Sequence, residues 1–118
     1  MVTVAYDPLA AVVDWLDACR ARHLTQVLDF YEAAATLECG CSGQPTVRGL
    51  GDLARYWEHR LAKAVPEAFS VNKILPGDDA SSVVLDYVGY EGKPIRMHFQ
   101  FGSSGKIASV VCGPMERA

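Results

Sequence analysis

Apolar residues near the start of the chain recur at helical spacing and predict an amphipathic helix from Pro8 to about Ala21. Asp7 is a plausible N-cap for this helix, and Pro8 would occupy its first position, where proline's missing N–H has no intrahelical partner to lose. The apolar positions lie three or four residues apart, at Leu9, Val12 or Val13, and Leu16. One face of the first helix is therefore expected to be buried.

Two further helices are predicted before the middle of the chain. After a break near Arg22 and His23, an apolar stripe predicts a second helix from Leu24 to about Tyr31. Asp52 suits the first turn of a third helix, and Pro66 ends it. The expected core face of the third helix consists of Leu50, Leu53, Trp57, Leu61, Ala64 and Val65.

The rest of the chain is rich in predicted strands. A short strand over Thr36 to Cys39 precedes a loop from Gly40 to Gly51, which is rich in Gly, Ser, Pro and Gln. Four strands are then predicted, over Phe69 to Leu75, Ser82 to Tyr90, Lys93 to Phe101, and Lys106 to Cys112. Helices followed by an antiparallel sheet predict a single α+β domain over residues 1–118.

The turn at Glu91-Gly92 sets the expected pairing of the two strands beside it. If these two residues form the whole hairpin loop, Asp86 pairs with Met97, and both point to the same face. That face is the more apolar one, so it is expected to lie under the helices, with the members Val84, Asp86, Val88, Ile95, Met97, Phe99 and Phe101. An acid on an apolar face has a raised pKa and is a candidate acid/base group.

Composition and charge limit the classes of partner. The net charge of −3 and the scattered basic residues argue against nucleic acid. No apolar run is long enough to span a membrane, and the N-terminal stretch is a poor signal peptide. The four cysteines have neither CxxC spacing nor the density of a disulfide framework, which favours a reducing cytoplasm. No metal is expected, because no paired His or Cys supplies a matching second half for Cys39 and Cys41, and no other cofactor is expected either.

Several short segments resemble the nuclear transport factor 2-like superfamily in their order and spacing. They are the stretch from Trp15 to Cys39 with its Ala35-Thr36-Leu37-Glu38 entry to a strand, Gly49 before the third helix, and the close Phe99-Gln100-Phe101 … Gly105-Lys106-Ile107. The resemblance is to the SnoaL-like and ketosteroid isomerase branches. It implies a cone of three helices on a curved sheet, a small-molecule pocket inside the cone, and a homodimer through the outer face of the sheet.

The resemblance does not extend to the isomerase catalytic groups. Ketosteroid isomerases keep a tyrosine on the first helix, a general-base aspartate on the first strand and a protonated acid on the penultimate strand; this enzyme is a standard example of a carboxylic acid kept neutral. The matching positions here are Trp15, Cys39 and Met97. Methionine cannot donate a hydrogen bond, so steroid isomerisation by that mechanism is not expected.

The candidate catalytic residues are therefore Asp86, on its predicted apolar face, and Cys39, at the position of the isomerase base. The plain alternatives are a strand register shifted by one for Asp86 and an inert core thiol for Cys39. His98 is expected on the outer sheet face, and His59, beside Glu58 and Arg60, on a solvated helix face. The candidate ligand-binding residues are Trp15, Cys19, Tyr31, Trp57, Val84, Met97 and Phe99.

Two functional hypotheses remain open at this stage. In the first, a cytoplasmic SnoaL-like protein binds a small, largely apolar molecule in the cone, and Asp86 performs cofactor-free isomerase, cyclase or hydratase chemistry with Trp15 as orienting donor. In the second, the domain is a non-catalytic ligand-binding or dimerisation module, because all three isomerase groups are missing. A cone filled by side chains favours the second hypothesis, and an open cavity lined by Asp86 and Cys39 favours the first.

Overall fold

The structure, a computed structural model, describes residues 7–39 and 46–114 and has three helices and six strands in that part of the chain. The elements in chain order are α1 (Pro8–Arg20), α2 (Leu24–Asp29), β1 (Tyr31–Cys39), β2 (Val47–Arg48), α3 (Gly49–Lys63), β3 (Val71–Pro76), β4 (Ser82–Val88), β5 (Pro94–Phe101) and β6 (Ile107–Pro114).

The six strands form one sheet in the order β2-β1-β6-β5-β4-β3. β1 and β6 are parallel, and every other neighbouring pair is antiparallel. α3 packs on β1, while α1 packs on β3 and β4, so one face of the sheet is covered. The predicted α+β class is therefore confirmed. None of the helices in the described ranges is long and apolar enough to cross a membrane.

The second helix is shorter than predicted, and the first strand is longer. α2 ends at Asp29, and Tyr31 begins β1 rather than closing the helix. The reason is a long-range one, because the Ile107 N–H donates to the Phe30 carbonyl at 2.7 Å and β6 pairs with β1 from Tyr31 onward. Pairing with a distant strand thus overrides the helical spacing of the apolar residues.

The predicted loop over residues 40–51 contains regular structure at its end. Residues 40–45 lie outside the described residues, but β2 and the first turn of α3 follow directly. α3 begins at Gly49, which has a φ of +80°, a conformation that glycine adopts without strain. The early start leaves Leu50 exposed, although the sequence placed it on the core face.

Helix α1 begins at Pro8, as the sequence predicted. The Asp7 carboxylate accepts hydrogen bonds from the N–H groups of Leu9 and Ala10 at 3.1 and 3.4 Å, which confirms it as the N-cap of α1. The buried face of α1 includes Val12, Trp15, Leu16 and Cys19. The helix therefore places its tryptophan side chain in the centre of the core.

Trp15 is the centre of an aromatic cluster between α1, α3 and the sheet. Its ring lies 5.4 Å from Trp57, 5.3 Å from Phe99 and 6.1 Å from Tyr87, measured between centroids, with interplanar angles of 74° to 77°. Edge-to-face contacts of this kind place the positive ring edge against the negative face of its neighbour. Trp15 therefore packs against three aromatic rings in the space between α1, α3 and the sheet.

The hairpin between β4 and β5 corrects the predicted register. Gly89 and Lys93 close the turn through an N–H to carbonyl hydrogen bond of 2.8 Å, so the loop holds three residues, and Gly92 adopts a φ of +90°. Val88 consequently pairs with Pro94, and Leu85, rather than Asp86, pairs with Met97. A shift of one residue moves every β4 side chain to the opposite face. The predicted inner positions of β5 stand, whereas those of Val84, Asp86 and Val88 are wrong.

Asp86 forms an ion pair on the outer face of the sheet. Its two carboxylate oxygens accept from Arg96 Nε at 2.7 Å and Nη2 at 2.9 Å, across the β4–β5 pair. The Asp86 side chain is 7% exposed and that of Arg96 is 49% exposed. The hydrogen bonds from Arg96 hold the pKa of Asp86 below its usual range, more than burial raises it. The predicted raised pKa is therefore wrong in sign.

Two substitutions test this ion pair. We expect Arg96→Gln to lower the free energy of unfolding more than Asp86→Asn does, because it leaves a carboxylate in a nearly closed site, whereas Asp86→Asn leaves a half-exposed guanidinium in water. The measurement is the urea midpoint of each variant at neutral pH. Equal losses, or a larger loss in Asp86→Asn, would contradict the asymmetry.

The same pair sets a pH dependence of stability. Because folding lowers the pKa of Asp86, its contribution is complete well above pH 3.8, the ordinary value for the carboxyl, and is lost as the pH falls through the folded pKa. The stability gap between the native chain and Asp86→Asn should therefore close in acid. A gap that stays constant from neutral pH down to pH 2 would show that the ion pair does not stabilise the fold.

Candidate functional site

A cavity of about 160 Å³ lies between the C-terminal half of α3 and the β4–β5 hairpin. We call it the hairpin cavity. Its lining combines residues of α3, of the hairpin loop and of the sheet. The residues that line it are Tyr56, Trp57, Arg60, Phe69, Tyr87, Gly89, Tyr90, Glu91, Lys93, Pro94, Ile95 and Cys112.

Aromatic rings form the inner walls of the hairpin cavity. The rings of Phe69 and Tyr87 are stacked at 6.3 Å with an interplanar angle of 15°, and Trp57 lies 6.5 Å from Phe69. All three side chains are almost fully buried. Ile95 completes the apolar lining from β5. Walls of this kind suit a flat or compact apolar molecule.

Phe69 holds a backbone conformation that is rare for a bulky residue. Its φ is +69°, in the left-handed region that favours glycine. Two hydrogen bonds keep it there: its N–H donates to the Val88 carbonyl at 2.7 Å, and its carbonyl accepts from Arg20 Nη1 at 2.8 Å. Strained residues of this kind persist where the surroundings fix them, and they are concentrated at binding and catalytic sites. In this backbone conformation, the Phe69 side chain lines the cavity.

Arg60 brings a buried positive charge to the hairpin cavity. Its residue is 8% exposed, and its guanidinium carbon lies 3.7 Å from the ring centroid of Tyr56 and 5.1 Å from that of Tyr90. Both distances are in the range of cation–π attraction. Two more charged side chains, Lys93 and Glu91, line the cavity from the exposed hairpin loop.

The core beneath the hairpin cavity contains a small group of buried polar atoms. Trp57 Nε1–H donates to the Tyr31 hydroxyl at 3.1 Å. Trp15 Nε1 also faces this hydroxyl without the geometry of a hydrogen bond, and it has no partner among the described residues. Burial raises the pKa of Tyr31, so the phenol stays protonated and is a hydrogen-bonding group rather than a base.

Cys19 is buried in the same part of the core. Burial raises the pKa of its thiol well above the usual value, and the nearby charge of Arg20 offsets this only in part. A thiol that stays protonated is a poor nucleophile. Cys19 therefore behaves as a small core residue.

The structure brings most of the predicted ligand-binding residues together, but not around an open pocket. Trp57 is the predicted residue that lines the hairpin cavity. Val84 was predicted on the inner face and instead lies on the outer one, opposite His98. The others are buried in the core beneath the cavity: Trp15, Cys19, Tyr31, Met97 and Phe99.

The two predicted catalytic residues are not brought together. Asp86 lies across the sheet from the hairpin cavity, in its ion pair with Arg96. Cys39 ends β1, where its backbone pairs with Cys112, a residue of the cavity lining. The catalytic roles of both stay predictions, and that of Asp86 has lost the inner-face position on which it rested. No group of three or more potential metal ligands occurs within residues 7–39 and 46–114.

Sequence reasoning missed the residues that give the cavity its polar character. Tyr56 and Arg60 lie three residues after Leu53 and Trp57, respectively, so helical spacing places both beside the buried stripe of α3. That spacing was a usable signal for Arg60, whose long side chain can be buried along its stem. The left-handed backbone of Phe69 has no comparable signal, since phenylalanine is disfavoured there.

Comparisons with known proteins identify the fold. No protein-family model matches the sequence, and no curated protein does. A SnoaL-like protein of unknown function from Burkholderia thailandensis is similar in structure, with a TM-score of 0.78, 21% identity, and coverage of 98% of each chain. The predicted resemblance to the SnoaL-like and nuclear transport factor 2-like proteins is thus confirmed at the level of the fold.

Two enzymes share this fold at lower identity. A steroid delta-isomerase from Pseudomonas aeruginosa has a TM-score of 0.73 and 14% identity, over 98% of this chain and 85% of that one. SalBIII, an epoxide hydrolase/cyclase-like enzyme of pyran ring formation in salinomycin, has a TM-score of 0.70 and 14% identity, over 90% and 88%. Because one fold carries different chemistries, function has to be argued from the site.

Proposed function

We propose that this protein binds a small, largely apolar molecule in the hairpin cavity. The observation that carries the proposal is a cavity walled by Trp57, Phe69 and Tyr87, one of which is held in a strained backbone conformation. A cavity without a role would be expected to collapse around its aromatic walls, since interiors are close-packed. A dry cavity of about 150 Å³ in another protein takes up benzene. A molecule with a single ring therefore matches the volume of about 160 Å³.

Binding without catalysis is the form of the proposal that the site supports best. Among the described residues, Glu91 is the carboxylate that lines the cavity, and it belongs to an exposed loop. Asp86 faces the other side of the sheet. Isomerase, cyclase or hydratase chemistry remains the alternative, with Trp15 Nε1 as orienting donor. That alternative requires the core beneath the cavity to open, because Trp15 is fully buried.

A substitution that fills the cavity tests the binding proposal. We expect Ile95→Phe to weaken binding of toluene at least about tenfold. The larger side chain occupies the cavity, because the close-packed residues around it leave no other space for the added ring. The measurement is a titration with toluene followed by the shifts of the backbone amides of the cavity lining. The matched control is Val13→Phe, which adds a ring at a position of α1 that is 42% exposed.

The toluene titration distinguishes binding in the hairpin cavity from binding elsewhere. Toluene should shift the cavity amides in the native chain and in Val13→Phe, and it should not do so in Ile95→Phe. If the native chain shows no shifts at the cavity lining up to the solubility of toluene, the binding proposal is wrong. Equal binding by Ile95→Phe and the native chain would place the ring somewhere else.

The homodimer expected through the outer sheet face also remains a proposal. Its support is apolar surface on that face. Leu75, which pairs with Val84, is 46% exposed, and Val111, which pairs with His98, is 48% exposed. Exposed apolar side chains of this kind are unfavourable in water, and contact with a second copy of the chain would bury them. Sedimentation equilibrium should give twice the chain mass, and Val111→Glu should give the monomer. A monomeric native chain would contradict the dimer.

The cytoplasmic location expected from the sequence likewise remains a proposal.

A further inference from the structure

We propose that Gly89 determines the size of the molecule that the hairpin cavity accepts, and that this size is a single ring with at most a small substituent. This inference rests on the proposed binding function and adds the size class of the ligand and the residue that sets it. It follows from a close contact between Gly89 and Ile95, two residues that both line the hairpin cavity.

The space around Gly89, rather than its backbone conformation, requires a glycine. Gly89 is not among the glycines with a positive φ, so its backbone conformation is open to residues with side chains. A Cβ atom built at this position would lie 2.8 Å from Cγ1 of Ile95 and 3.4 Å from the Lys93 carbonyl oxygen. Two carbon atoms in contact prefer a separation of about 3.5–4.0 Å. No side chain therefore fits at position 89 while the Ile95 side chain keeps its place.

The backbone on both sides of this contact is fixed by hydrogen bonds. The Gly89 N–H donates to the Lys93 carbonyl at 2.8 Å, and the Gly89 carbonyl accepts from the Gly92 N–H at 2.9 Å. Ile95 lies on β5, which pairs with β4 on one side and with β6 on the other. A methyl group added at position 89 would consequently displace the Ile95 side chain rather than either backbone.

The hairpin cavity is the space into which a displaced Ile95 side chain would move. Isoleucine carries two carbon atoms on Cβ, so few alternative rotamers are open to it. Ile95 is 9% exposed and lines the cavity from β5, and protein interiors away from such cavities are close-packed. In the native chain, the missing Cβ of Gly89 thus keeps the Ile95 side chain out of volume that a ligand would use.

The volume of the hairpin cavity is small enough for one methyl group to matter. It is about 160 Å³, and a cavity of about 150 Å³ in another protein takes up benzene. Toluene, which is one carbon larger, would use nearly all of this space. A displaced Ile95 side chain would therefore exclude toluene before it excludes benzene.

Benzene and toluene, which differ by one carbon atom, test the size limit. We expect the native chain to bind toluene about fourfold more tightly than benzene, because one more carbon is buried. In Gly89→Ala this preference should be reversed. Toluene should bind at least about tenfold more weakly than it does to the native chain, because it overpacks the reduced cavity, and benzene should lose less than about twofold. The measurement is the dissociation constant of each ligand, from amide shifts of the cavity lining.

Two further variants show whether the contact with Ile95 is the cause. The matched control Gly51→Ala makes the same change on α3, where no neighbouring side chain of the described residues lies within 4 Å of the added Cβ, and it should keep the native preference. The double variant Gly89→Ala/Ile95→Ala lacks the side chain that the new methyl group would displace. It should bind toluene as tightly as Ile95→Ala alone.

If Gly89→Ala does not fold, Ile95→Val takes its place. This variant shortens the same side chain by one methyl group, so it enlarges the space that Gly89→Ala would reduce. The preference for ethylbenzene over toluene should then rise at least about twofold above that of the native chain. An unchanged preference would overturn the size limit.

The possible results distinguish the role of Gly89 from the proposed function. An unchanged preference for toluene in Gly89→Ala overturns that role and leaves binding in the hairpin cavity standing. So does a loss of toluene binding from Gly89→Ala that is equally large in the Ile95→Ala background, and so does a native chain that prefers benzene. If neither benzene nor toluene shifts the cavity amides of the native chain, the proposed function itself is wrong.

Discussion

The packing of Trp15 is the constraint on which the rest of the structure depends. Its ring meets Trp57, Tyr87 and Phe99 edge to face, and together these residues fill the space between α1, α3 and the sheet. An open cavity lies to one side of this cluster, beside the hairpin between β4 and β5. Among the described residues, the indole N–H of Trp15 has no hydrogen-bond partner, at a cost of about 1–3 kcal/mol that the surrounding packing offsets.

The fold could be predicted from sequence because its signals are local. Helical spacing of apolar residues placed α1 and α3, the Asp7-Pro8 pair placed the first N-terminus, and the order of elements indicated the α+β class. Tyr31 was misplaced, since its conformation depends on pairing with β6, more than seventy residues later. Signals of that range are absent from any window of the sequence.

The candidate site could be predicted only in part, and one residue of loop length explains most of the error. Glu91-Gly92 fits a two-residue turn or the end of a three-residue turn, and the second choice moves Asp86 from the core to an outer ion pair with Arg96. Trp57 was identified because it lies on a strong apolar stripe. Arg60 was not, because arginine on a helix is usually solvated, and here two tyrosine rings provide the contacts that allow its burial.

If side chains fill the interior around Trp15, a small ligand should enter the hairpin cavity and not the space beside Trp15. A crystal structure with 4-bromotoluene, recorded at the bromine absorption edge, tests it most directly, since the anomalous signal locates the ring without reference to its shape. We expect one interior bromine peak, between Phe69, Tyr87 and the C-terminal half of α3, with the Trp15 contacts unchanged. A peak beside Tyr31 with the Trp15 ring displaced would contradict it.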